Sequence, residues 1–100
     1  MFQLSPSSHF KRKYKKLIKR NNKLEERFDI AFLLLMENPL QKKLKSHKII
    51  ARDSKLAFSS KVTADLRIIW RYVEDNPEYD VDILDLIDIG GHEGGRKVYG

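Results

Sequence analysis

Apolar residues recur with helical spacing in the first third of the chain and with strand spacing in the second half. Phe2–Gln3–Leu4 reads as a short strand ended by Ser5–Pro6. Ser5 suits a helix N-cap, with Pro6 at the first helical position, where its missing N–H costs nothing. Phe10, Tyr14, Leu17 and Ile18 then fall at i, i+4, i+7 and i+8, one apolar stripe on a helix. Asn21–Asn22 marks a tight break. Leu24, Phe28, Ala31, Phe32 and Leu35 repeat the helical pattern until Asn38–Pro39 stops it. Leu33, Leu34 and Met36 widen the apolar face of this second helix. Two helices joined so briefly make a hairpin whose apolar faces need a sheet to cover.

Leu40 to Lys55 shows no regular pattern. Beyond it, Leu56, Phe58, Ser60 and Val62 alternate with Ala57, Ser59 and Lys61, as in a strand with one buried face. Thr63–Ala64–Asp65 is short enough for a hairpin. Leu66, Ile68, Trp70 and Tyr72 alternate with Arg67, Ile69, Arg71 and Val73, the clearest strand in the chain. Its first set should pack on the helices, which puts Arg67 and Arg71 on the opposite face. Glu74 to Asp80, containing Asn76–Pro77, reads as a turn, and residues 81–89 as the last long strand. That strand breaks at Gly90–Gly91, presents His92, breaks again at Gly94–Gly95, and ends on Arg96, Lys97 and Tyr99. The order β-α-α-β-β-β predicts a single α+β domain over residues 1–100, with two helices on one face of an antiparallel sheet.

Charge changes this picture more than composition does. The 100 residues are 41% hydrophobic and 34% charged, enough for one modest core in a soluble protein. No apolar run approaches the ~18–20 residues of a membrane span, and the N-terminus lacks a signal peptide's apolar segment. Without cysteine there are no disulfides or thiolate metal sites, so the cytoplasm is the expected compartment. The net charge of +6 is unevenly spread. Residues 1–24 hold eight Lys or Arg and no acid, and residues 42–61 hold seven more against Asp53 alone. Residues 74–93 reverse this, with eight acids and no Lys or Arg. Segregated basic surface is the usual footprint of nucleic-acid binding, although solvated helix faces of a basic protein would leave a similar mark.

The candidate chemistry lies at the C-terminal tip and on the open sheet face. His92 between glycine pairs has no evident packing role, and imidazole is the side chain best suited to proton transfer near neutral pH. Arg67 can grip a phosphate through two donors and stabilise charge developing on it. Lys45, Lys48, Arg52, Lys61, Arg71, Arg96 and Lys97 are the further cations expected to hold substrate. His47 lies in the basic segment, and His9 at a helix start reads as structural or simply exposed. Three scattered histidines with few carboxylate partners make a poor metal site, so no metal or cofactor is expected.

Three local patterns, in this order and length, resemble the RelE/ParE superfamily of bacterial toxins from type II toxin–antitoxin modules. They are Asn38-Pro39-Leu40 through Leu44-Lys45-Ser46-His47-Lys48, then Asp65-Leu66-Arg67-Ile68-Ile69-Trp70-Arg71, then Asp88-Ile89-Gly90-Gly91-His92. The similarity spans essentially the whole chain and is greatest to the RelE/YafQ-type branch, whose members cleave messenger RNA, commonly in the ribosomal A site. The resemblance implies a RelE-like fold and a role for each matching position. Arg67 matches the sheet arginine that holds the scissile phosphate. His92 matches the catalytic histidine of YafQ-like members, and Tyr99 the C-terminal aromatic that stacks on or orients the substrate nucleotide. His47 matches the histidine of their basic loop, Asp65 the aspartate before the third strand, and Lys61 lies near a strand Lys or His. The Gly94–Gly95–Arg96–Lys97 spacer before Tyr99 is longer than in YafQ-like members.

The expectation that follows is a ribosome-associated endoribonuclease acting on mRNA without a metal, neutralised by a cognate antitoxin and independent of membranes. Two rivals stay open on sequence alone. One is a ParE-like toxin that inhibits DNA gyrase, and the other a non-catalytic basic RNA-binding module.

Overall fold

Ser7, not Ser5, starts the first helix. The computed structural model describes residues 1–73 and 82–91, and within them Gln3–Pro6 form strand β1. Ser5 and Pro6 are held extended because they pair with Asp85 and Leu86 of the last strand, and the Ser7 N–H continues the ladder to the Leu86 carbonyl at 3.0 Å. A proline is tolerated there because β1 is an edge strand. The Ser7 hydroxyl then accepts from the Phe10 N–H at 3.1 Å and caps α1, Ser8–Ile18. Asn21 caps α2, Asn22–Glu37, by accepting from the Leu24 N–H at 3.1 Å, and Asn38 ends it.

A 3₁₀ turn at Lys42–Leu44 leads into β2, His47–Ile50, a strand that the sequence pattern left inside an irregular segment. β2 is short and lies at the other edge, so only Ile49 of its four residues is buried and no alternation shows. β3 (Leu56–Lys61), β4 (Leu66–Tyr72) and β5 (Ile83–Gly91) complete a sheet of order β1-β5-β4-β3-β2. The α+β class is as expected, two helices on one sheet. Strands β2 to β5 are antiparallel, while β1 joins β5 in parallel and makes the sheet mixed.

β5 runs two residues further than its sequence pattern suggests. Gly90 and Gly91 pair with Arg67 and Leu66 instead of breaking the strand. β5 also carries an irregularity, because Asp88 faces Ile69 while Leu86 faces Trp70, leaving Ile87 as the extra residue. The bulge switches parity. Leu84, Leu86 and Ile89 all reach the helix side, and Ile87 joins the opposite face. The main core packs the stripe Phe10, Phe28, Ala31 and Leu35 on Ile68, Trp70 and these three residues. A second, smaller cluster of Ile49, Ala51, Ala57 and Ile69 sits on the face opposite α1 and α2. The expected turn at 74–80 lies outside the described residues, as do His92, Arg96, Lys97 and Tyr99. Among the described residues no helix is long and apolar enough to cross a membrane.

Candidate phosphate grip and nucleic-acid interface

Ile68 and Trp70 point into the main core, so the alternation of β4 sends Arg67 to the face opposite α1 and α2, as its pattern requires. Arg67 stands opposite Lys61 on β3 and Gly90 on β5. Ser59 follows on the same face, and His47 of β2 stands opposite Ser59. Four residues from three strands thus surround one guanidinium.

That guanidinium is fixed by the protein itself. Arg67 Nε donates to Ser59 Oγ, and Nη2 donates to the carbonyls of Lys45 at 3.0 Å and Ser59 at 3.2 Å. Ser59 is wholly buried, which gives the grip a rigid base. The Lys45 carbonyl can turn toward Arg67 because Lys45 adopts a left-handed backbone at φ 48°, ending the 3₁₀ turn. Among the described residues these bonds use only Nε and Nη2, so the Nη1 donors remain for an incoming oxyanion. Gly90 helps to keep that approach open. A side chain there would rise on the same face, directly beside Arg67.

His47 completes the cluster. Its Nδ1 lies 3.4 Å from Arg67 Nη2 and 3.3 Å from the Lys45 carbonyl. Protonated, Nδ1 can donate to the carbonyl; unprotonated, it can accept from the guanidinium. The imidazole therefore has a seat in both protonation states. That is what a group exchanging protons beside a phosphate needs.

A hydrogen-bond chain, buried at its Trp70 end, ties the loop before His47 to the core. Trp70 Nε1 donates to Ser60 Oγ at 2.7 Å, and Ser60 and Ser46 hydroxyls lie 2.6 Å apart. Ser46 Oγ donates to the Pro39 carbonyl at 2.6 Å, so Ser60 must supply the hydrogen between the two serines.

Of the other expected site residues within the described segments, only some lie at this cluster. Lys61 is its immediate neighbour, and Lys45 contributes through its main chain. Asp65 is exposed in the β3–β4 turn and makes no hydrogen bond to the cluster among the described residues. Lys48 pairs with Phe58 and so belongs to the helix-side row. Arg71 stands on Arg67's face four residues further along β4, where its Nη2 meets Asp53 at 3.0 Å. Arg52 lines the same depression as Arg71.

Ser59, Asp53 and Asp88, which were not candidates from the sequence, meet cations of this face, and His9, exposed as expected, pairs with Asp88. Ser59 shares the parity of Lys61, and the hairpin register alone could have placed it beside Arg67. Asp88 is brought to the open face only by the bulge, which no residue pattern announces. There its Oδ1 accepts from His9 Nε2 at 3.0 Å, Lys13 Nζ at 3.1 Å and the Ile89 N–H at 2.8 Å. Burial works to raise the Asp88 carboxyl, but the bonds from Lys13, Ile89 and His9 and the Lys13 charge outweigh it and hold it below the ordinary value. Asp53 is likewise lowered, chiefly by its bond from Arg71.

The profile of the YafQ family, described as bacterial toxins of type II toxin–antitoxin systems, matches residues 2–94. No curated protein sequence matches the chain. Among solved structures, a YoeB/ParE toxin from Agrobacterium tumefaciens superposes with a TM-score of 0.70 at 16% identity, covering 90% of this chain and 98% of that one. YafQ from E. coli superposes at 0.67 with 19% identity, over 94% of this chain and 97% of its own. A toxin from Helicobacter pylori described as metal-bound gives 0.62 at 22% identity, over 93% and 97%. The E. coli protein has also been solved as a DinJ–YafQ toxin–antitoxin complex. With the profile running through all five strands and both helices, the chain belongs to the YafQ family of bacterial type II toxins.

Proposed function

We propose that this toxin is an endoribonuclease that cleaves messenger RNA on the ribosome by general acid/base catalysis without a metal. The observation that carries the reading is the Arg67 guanidinium, anchored by Ser59 and Lys45 with His47 against it, on an open sheet face. Arg67 holds the scissile phosphate through its remaining donors and stabilises charge as it develops there. The substrate's 2′-hydroxyl attacks the phosphorus, the bond to the 5′-oxygen breaks, and a 2′,3′-cyclic phosphate and a 5′-hydroxyl result. One imidazole takes the 2′-hydroxyl proton and another group returns a proton to the leaving oxygen. His92, one residue beyond β5, and His47 share these roles, with Tyr99 orienting the nucleotide and Asp65 supporting the site. Lys45, Lys48, Arg52, Lys61, Arg71, Arg96 and Lys97 supply the charge that draws the RNA backbone.

The partner is a cognate antitoxin, as the DinJ–YafQ complex illustrates for the E. coli relative. An acidic segment wrapping the basic face would block the site. Purified toxin added to ribosomes programmed with mRNA should release fragments with 5′-hydroxyl ends, and the stoichiometric complex should release none. Growth arrest without any cleaved RNA, accompanied by inhibited DNA gyrase, would overturn the reading.

A further inference from the structure

Beyond Arg67 the open sheet face dips into a cleft of about 310 Å³. Ala51, Ile69 and Ile87 give it an apolar floor, and Arg71, Asp88 and His9 stand along its sides. Its volume and its mixture of apolar floor and few polar groups suit a flat, partly polar ligand. The polar groups are only partly used. Arg71 Nε is buried and has no hydrogen-bond partner among the described residues, although Nη2 is held by Asp53. Asp88 makes all its hydrogen bonds among the described residues through Oδ1, leaving Oδ2 to accept another. The exposed His9 ring lies at the edge, where a planar group can stack. A donor, an acceptor and an apolar floor are what the edge and face of a nucleobase require. Two carboxylates in the lining make the cleft a poor seat for a phosphate.

Placement favours the same ligand. Arg67 and Arg71 share one strand face four residues apart, roughly 13 Å along β4 at strand rise. A single RNA strand held at Arg67 by a phosphate would lay a neighbouring nucleotide over the cleft. We propose that this cleft, walled by Arg71, Asp88 and His9, seats one base of the bound strand beside the scissile phosphate and selects bases that carry an exocyclic amino group. The carboxylate accepts from that amino group, and uracil has none to offer. This rests on the proposed RNA substrate and adds to it a residue-level source of sequence preference.

The test is equilibrium binding of short oligo(A), oligo(C) and oligo(U) strands methylated at every 2′-hydroxyl, so that binding is read without cleavage. Wild-type protein should bind oligo(A) and oligo(C) about fivefold or more tighter than oligo(U), the effect of one good base contact. Arg71→Ala and Asp88→Asn, each shown folded by the fluorescence of buried Trp70, should level the three affinities. Lys16→Ala on α1, far from the cleft, should weaken all three by one common factor. Equal wild-type affinities, no binding at all, or a preference that survives in both cleft variants would overturn the proposal. Base preference on methylated strands with no cutting of ordinary mRNA would sink the endoribonuclease reading alone and leave the cleft assignment standing.

Discussion

Ser59 anchors the Arg67 guanidinium from inside the sheet. Its hydroxyl and its carbonyl both accept from Arg67 while it lies wholly buried in the sheet. Ser59→Ala removes the hydroxyl and leaves the carbonyl contact. We expect it to cost about 1–3 kcal/mol of stability from the lost bond to a charged group, and to lower kcat with little change in KM, because the guanidinium loses its fixed direction. A variant with wild-type kcat would show that Arg67 needs no such anchor. Arg67 itself was legible from alternation, since only one parity of β4 could pack on the helices. His47 and Lys61 beside it were candidates as well, but Ser59 was not, because contact across the sheet is absent from local pattern.

At the level of elements, the two helices and the β3–β4 pair could be read from their periods, with Asn21–Asn22 and Asn38–Pro39 as breaks, while the cap of α1 fell at Ser7 and not at Ser5. Two elements escaped for physical reasons. β2 is an edge strand with one buried residue, so it lacks the alternation by which strands are recognised. The β5 bulge inserts Ile87 and changes which residues share a face, which the residues around it do not signal. The loop that delivers Lys45 and His47 is coupled to the core through Trp70, Ser60, Ser46 and the Pro39 carbonyl. Ser60→Ala would leave the buried Trp70 N–H unpaired and Ser46 held by the Pro39 carbonyl alone. Chemical denaturation should show a loss of about 1–3 kcal/mol, with a fall in cleavage as the loop loosens. Unchanged stability would mean that the chain does not brace the loop.

For the whole molecule, Asp88 links the N-terminal helix to the last strand through His9 and Lys13. Its carboxyl is lowered in the folded state, so this contribution is fully present above the unfolded value near about 4 and lost as pH falls through the lower folded value. The denaturation midpoint of Asp88→Asn should lie below wild type at neutral pH and converge with it in acid. A gap that stays constant into acid would show that the linkage is not electrostatic. The charge segregation acts on the same scale. RNA or ribosome binding should weaken steeply from low to moderate salt, and binding indifferent to salt would contradict a backbone-directed basic surface.

We propose that a self-anchored Arg67, working with His92, cuts mRNA. The most direct measurement maps transcript ends by primer extension after induced expression of wild type, Arg67→Ala, Arg67→Lys and His92→Ala. Wild type should produce new 5′ ends and arrest growth, and Arg67→Ala and His92→Ala should do neither while keeping the fold. Arg67→Lys should fail as well, because a lysine cannot hold Ser59 and the Lys45 carbonyl while presenting further donors to the phosphate. New 5′ ends at wild-type level from Arg67→Ala, or growth arrest by wild type with every transcript intact, would overturn this mechanism.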